Sequence, residues 1–349
     1  MPNFYAGLEA LKRAGAINGS DEDTRIKRLI EAVSRRIDQE TRRRFIPQTA
    51  TRLYDWPPET HGPSTILWLD ESLLSVTTLL SKAQDASPTT IPAADYFLEP
   101  QRYGPPYNRI EIDLSSTSAF EAGATAQRSI SVAGSWGYGN DTVAAGALAE
   151  ALDATETGVD VTDASLVDVG DTLLVESEQM FVSDKGTLDT TANLNGALTA
   201  DKSQTTVAVN NGALVNAGEV ILVNSERMYV ESVTGNNLTV IRAYDGSTLA
   251  AHNDATDVYA YRTLTVTRNV NGTAAATHAN STAITKYQVP RDIEELCIAE
   301  VIAAFHQERS GWGRVVGMGE QQREFSGRTL ADLRKRVTDS YRRGRWAAV

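Results

Sequence analysis

Apolar and polar residues alternate with two different periods along this chain, and the change of period divides it. Near the start, Ile26, Leu29, Ile30, Val33 and Ile37 recur at helical spacing and predict an amphipathic helix over 21–44. A shorter helix is expected over 3–16, and Ser20 with Asp23 forms a capping-box-like join between the two. Runs of period two follow at 51–56, 65–69, 75–81, 96–99, 109–114 and 128–134, separated by Pro- and Gly-containing loops. Residues 140–157 are alanine-rich and predict a short helix or a linker. From there to 286 the chain is rich in Val, Thr, Asn, Gly and Asp at alternating spacing, which predicts strands and turns. Helical spacing returns at 289–309, where Ile293, Leu296, Cys297, Val301 and Phe305 share one face behind Pro290. A last helix is expected over 329–343, with Leu330, Leu333, Val337 and Tyr341 inward, before the basic, aromatic end RRGRWAAV.

The β-rich middle repeats itself. VDVTDASLVDVGDTLLVESEQMFV at 159–182 matches VAVNNGALVNAGEVILVNSERMYV at 207–230, and LTVIRAYDGSTLAAHNDATDVY at 238–259 matches LTVTRNVNGTAAATHANSTAIT at 264–285. Two half-units therefore run in the order A, A, B, B. A contiguous A and B give one unit; the outer A and B give a second if the first is nested inside it. Nesting predicts that Glu226 meets Arg242 and that Glu178 meets Arg268, with His252 and His278 at equivalent places. Two copies are too few for a solenoid.

Charge follows the same division. Residues 141–286 hold 19 acidic and 7 basic side chains, whereas the remainder holds 26 of each, so the net −12 belongs to the middle segment. Such a segment repels nucleic acid and anionic membrane. Hydrophobic residues at 41% allow true cores, and 349 residues suit two domains. Cys297 is the single cysteine, so an intramolecular disulfide is impossible. Without a leader or a long apolar run, the chain is expected to be made in the cytoplasm and kept there or assembled into a larger particle.

Candidate chemistry is sparse. The four histidines lie in no HxH or HExxH spacing, and no Walker loop, GxSxG or dinucleotide fingerprint occurs. Metal, cofactor and catalytic residues are accordingly not expected. His252 and His278 read as braces of a turn, and Glu178 and Glu226 as structural ion-pair partners. Arg42, Arg43 and Arg44 close a helix, where cations complement its dipole; with Arg35 and Arg36 they alternatively form a basic face for an acidic partner or DNA. Arg342, Arg343, Arg345 and Trp346 read as a docking tail or a solvated end.

The two ends resemble the head–tail connector (adaptor) family of long-tailed bacteriophages. DEDTRIKRLIEAVSRRIDQETRRRFIPQT is similar to its N-terminal helix and the turn after it, and LWLDESLLSVTTLLSK to its next strands. ISVAGSWGYG followed by VPRDIEELCIAEVIAAFHQER resembles its join, and GRTLADLRKRVTDSYRR its closing helix. The resemblance spans 5–139 and 287–349; the departure is an insertion of about 147 residues between Gly139 and Tyr287.

The resemblance implies a non-enzymatic virion protein: a ring of about twelve subunits under the portal, closed by heterologous contacts. It also implies a stopper or tail-completion protein as the partner below, and DNA crossing the channel without sequence specificity. The family's C-terminal segment reaches the portal, which gives that role to Arg342–Val349. The expected fold is α+β: a helical-bundle core with a small β element (1–139 and 287–349) and an inserted all-β domain (140–286) that projects outward as a neck decoration. Two other classes remain open: a neck or tail-associated module whose insertion grips host glycans or capsid, and a virion-carried wall hydrolase.

Overall fold

The computed structural model describes residues 3–57, 64–309, 315–316, 323–324 and 327–343. Two antiparallel sheets dominate it, one of six strands and one of ten. The expected helical-bundle core with a small β element is therefore wrong: the core region is built largely from a sheet, and helices form only a layer beside it. The reason lies in side-chain period. The short alternating runs between 48 and 136 pair with one another, and together they make the six-stranded sheet.

That sheet contains β1 Gln48–Tyr54, β2 Ile66–Ser81, β3 Thr89–Thr90, β4 Tyr96–Glu99, β5 Tyr107–Ile112 and β6 Ile130–Trp136, in the order β1-β6-β2-β5-β4 with β3 on β2. The runs expected at 65–69 and 75–81 are one strand, β2, bent where its register shifts between Leu73 and Ser75 and between Val76 and Thr78. A bulge lets one strand pair with β5 through its first half and β6 through its second. Leu67, Leu69, Leu73, Ile110, Ile130, Val132 and Trp136 bury the inner face.

Among the described residues the helices are α1 Leu8–Ala14, α2 Asp23–Thr41, α3 Arg291–Arg309 and α4 Gly327–Tyr341. α2 buries Ile26, Ile30, Val33 and Ile37, and α3 buries Ile293, Leu296, Cys297, Val301 and Phe305, the stripes their spacing predicts. No side chain caps the start of α2, whose N-cap is Glu22. Glu300, buried on α3, pairs with Arg36 of α2 and Arg334 of α4. Phe45, Tyr138 and Tyr341 pack together with centroids 5.2–5.4 Å apart, Tyr341 edge to face with each of the other two, so the glycine-aromatic turn after β6 locks both ends of the chain together.

The ten-stranded sheet comprises β7 Thr142–Ala147, β8 Gly158–Asp160, β9 Thr172–Val175, β10 Glu178–Asn193, β11 Thr206–Ala208, β12 Val220–Val223, β13 Glu226–Thr234, β14 Asn237–Ile241, β15 Asp257–Thr267 and β16 Ala283–Tyr287. The alanine-rich stretch is strand β7, not a helix: it pairs with β16 and buries Ala145. β10 and β15 run the length of the sheet, so one continuous sheet carries two hydrophobic clusters. The outer one gathers Val159, Leu173, Val175, Met180, Val182, Leu264 and Ile284; the inner gathers Val207, Ile221, Val223, Met228, Val230, Leu238 and Val258.

Each module has the same anatomy. Its entering strand pairs with its leaving strand, β7 with β16 outside and the second half of β10 with the first half of β15 inside. The insertion leaves and returns through neighbouring strands. Its outer module joins the helical layer, since Val169, Phe181 and Val270 share a cluster with Phe4, Ile26 and Ile293. Gly272, at φ +79°, lies so close to the Thr49 carbonyl that any side chain there would collide with it.

Candidate functional site

Two sets of residues gather chemistry, and they do different things. The first is a latch repeated in each module. In the inner module Arg242 donates from Nε and Nη2 to the two carboxylate oxygens of Glu226, at 2.7 and 2.8 Å. In the outer module Arg268 does the same to Glu178, at 2.6 and 2.6 Å. The outer halves thus pair with each other, as nesting requires. His252 Nε2 lies 2.8 Å from Glu226 Oε2, and His278 Nε2 lies 2.9 Å from Glu178 Oε2. The arginines also tie down distant turns, through Thr199 and Ala250 carbonyls inside and Asp153, Glu156 and Ala276 carbonyls outside.

Local sequence explains the placement. Each glutamate opens a strand just after a two-residue turn, and the first turn residue, Glu176 or Asn224, is left-handed at φ 53° or 54°. Burial would raise the pKa of Glu178 and Glu226, but the arginine and histidine bonds outweigh it and hold both at about 2. Backbone N–H groups of Ala243 and Ala250, or of Ala276 and Asn269, take further oxygen lone pairs. A carboxylate offers about four acceptor sites, so neither glutamate has capacity left for a substrate or a metal. Among the described residues, no group of three or more His, Cys, Asp or Glu is arranged to hold a metal ion.

The second set is a cleft of about 600 Å³ at the end of α2, where the helices, the six-stranded sheet and the insertion meet. Arg35, Arg42, Arg43 and Arg44 line it, with Asp38 and Glu71 as the only carboxylates among the described residues. Arg35 bonds Asp38 at 3.3 Å, and Arg44 reaches Gln48 at 2.6 Å and Glu71 at 3.3 Å. Arg43 is spent internally: it donates to the Tyr341 carbonyl at 2.6 Å and Ser72 Oγ at 3.0 Å, and lies over the Tyr138 ring. Burial, with Arg343 nearby, lowers its pKa. Arg42 differs. It is the C-cap of α2, left-handed at φ 55°, half-buried, and its guanidinium has no hydrogen-bond or ion-pair partner among the described residues. Arg36 faces away, toward Glu300.

The expected docking tail divides. Arg343 is buried; its Nη2 donates to the Leu69 carbonyl at 2.7 Å and its backbone N–H to the Thr41 carbonyl, so it bolts α4 to β2 and α2. Arg342 is exposed, and Arg345 and Trp346 lie outside the described residues. Four of the five aromatics of the insertion are engaged within the chain: Phe181 packs on Phe4, Tyr229 stacks on Tyr244 at 5.3 Å, and Tyr261 accepts from Arg227.

Sequence reasoning missed several partners. Glu219 is fully buried against Arg262 and accepts from the Ala164 N–H, joining the two modules. Asp168 accepts from the N–H groups of Glu9 and Ala10 and so holds α1 on the insertion. Burial, then the charges of Glu9 and Asp171, raise its pKa to about 7. The offset of 48 that pairs Asp171 with Glu219 was a usable signal. No protein family, no curated protein and no solved structure matches the chain.

Proposed function

We propose that this is a structural protein of a phage neck, a head–tail adaptor whose subunits form a ring beneath the portal and extend the DNA channel toward the tail. The observation that carries the reading is the meeting of the two segments that resemble connectors. α2, α3 and α4 pack on one another, Phe45, Tyr138 and Tyr341 interlock, and the insertion departs and returns through the paired strands β7 and β16. A chain interrupted in this way keeps its two ends as one body. The saturated latches favour the same reading, because they stiffen a scaffold and leave their carboxylates no acceptor capacity for substrate chemistry. The acidic insertion belongs outside the channel, since acidic surface beside DNA is repelled.

Co-sedimentation with isolated portal rings of the same phage tests this. The comparison is between the full chain and one ending after Arg343, which keeps the internal bolt. Saturable binding by the first and its loss in the second supports an adaptor that docks through its last residues. Binding by both keeps the adaptor and moves the contact into the folded core. Binding by neither removes the adaptor reading in favour of a decoration or tail role.

A further inference from the structure

We propose that the arginine cleft at the end of α2 is the docking site for the acidic inner module of a second copy of this chain, so that the insertion of each subunit seats on the core of the next. The inference rests on the adaptor reading, in which subunits must meet through heterologous contacts.

Three observations carry it. The first is Arg42, a half-buried guanidinium that lines the cleft and lacks a partner among the described residues. Arginine is favoured at protein interfaces, and its planar fork suits a carboxylate. The second is the conformation of Arg42. A left-handed C-cap is the place of glycine or asparagine, and an arginine there costs stability while its side chain makes no hydrogen bond or ion pair among the described residues. Strain kept at one side chain points to a use for that side chain.

The third is charge. The insertion residues that line the cleft, Asn271 and Gly272, are neutral, so the chain's own insertion does not satisfy Arg42. The inner module nevertheless carries acid to spare. Its internal ion pairs consume Glu219, Glu226 and Asp245. What remains exposed is Asp189, Asp201, Glu231, Asp254 and Asp257 against the single base Lys202. Surface of that sign, on a different molecule of the same kind, complements the cleft. A head-to-tail pair of basic cleft and acidic module keeps one free cleft at one end and one free module at the other, so further copies can add until a ring closes.

Sedimentation velocity of the full chain, alone and with portal rings, decides the matter. It is run at about 0.1 M and about 1 M salt, where charges are screened over about 10 and about 3 Å. The variants are Arg42→Gly, Arg42→Glu, and Asp254→Lys with Asp257→Lys. Wild type should self-associate in low salt and weaken in high salt. Each variant alone should associate roughly tenfold more weakly. Arg42→Gly should do so while melting no lower than wild type, which separates lost docking from lost folding. Mixing Arg42→Glu with the double lysine variant should restore association, because each supplies the surface the other lacks.

A chain that stays monomeric at every concentration, with and without portal rings, overturns the proposal. So does association that is indifferent to all the variants. Loss of duplex-DNA binding in Arg42→Glu, with association unchanged, would make the cleft a phosphate site instead. Portal binding by every variant with no effect on self-association would leave the adaptor standing and remove only this contact.

Discussion

The inner and outer modules are the same machine in two settings, and one place where their latches differ is instructive. Both bind a buried glutamate to an arginine through two hydrogen bonds and to a histidine through one. The second nitrogen of each histidine meets a different residue. His252 Nδ1 faces the amide of Asn224 at 3.1 Å, whereas His278 Nδ1 faces the carboxylate of Glu176 at 2.8 Å. The solvent side of the ring thus meets a neutral amide in one module and a carboxylate in the other. The repeat conserves the buried side of the ring and lets the solvent side vary. What holds the module is therefore the Glu–Arg pair, and the histidine is an adjustable brace.

The largest effect that can break this comparison comes from the glutamates. Glu226→Ala and Glu178→Ala each strand a buried guanidinium and should each cost roughly 3–5 kcal/mol in urea unfolding. They should differ in reach. Glu178→Ala loosens the module that shares its apolar cluster with Phe4 and Ile26, so hydrogen exchange should rise in α1 and α2; Glu226→Ala should leave α2 protected.

Acid is the next lever. Both carboxylates titrate at about 2 in the fold, below the ordinary 4.5 of a glutamate, so the stability they confer is complete above 4.5 and is lost as pH falls toward 2. Asp168, raised to about 7 from 3.8, works the other way: its contribution is complete below 3.8 and is lost as pH rises through 7. Urea midpoints across pH should therefore fall steeply in acid, and Asp168→Ala should remove the shallower decline toward neutrality.

Arg42→Gly should raise stability by roughly 1 kcal/mol, because glycine relieves the left-handed cap. The smallest effect sharpens the comparison most. Exchanging the brace residues, Glu176→Asn and Asn224→Glu, should shift stability by under about 1 kcal/mol, since Glu176 is exposed. A larger cost at either site would make the histidine a main support after all.

Much of the insertion was legible because a repeat carries its own pairing code: Glu178, Arg268, Glu226 and Arg242 stand at fixed offsets. The strands of the six-stranded sheet were legible as short runs but their union into one large sheet was not: β2 breaks its alternation at DES and again at its later bulges, so one long strand reads as two short ones. Alanines at 144, 145 and 147 favour a helix locally, and the pairing of β7 with β16 overrides that preference. The cleft was half legible. Its arginines are adjacent in sequence, but Asn3, Gln48, Glu71 and Asn271 reach it through the fold. Arg343 looked like tail because nothing local announces its bond to Leu69.

The nesting has a consequence for how such proteins change over time. The inner module hangs from β10 and β15 just as the outer hangs from β7 and β16, so each copy recreates, one level further out, the doorway through which it entered. A lineage can lengthen or shorten the insertion by whole modules without altering the base that carries it. The fold of the base is kept while the size of the insertion becomes a free variable, set by how many times one small unit has been placed inside itself.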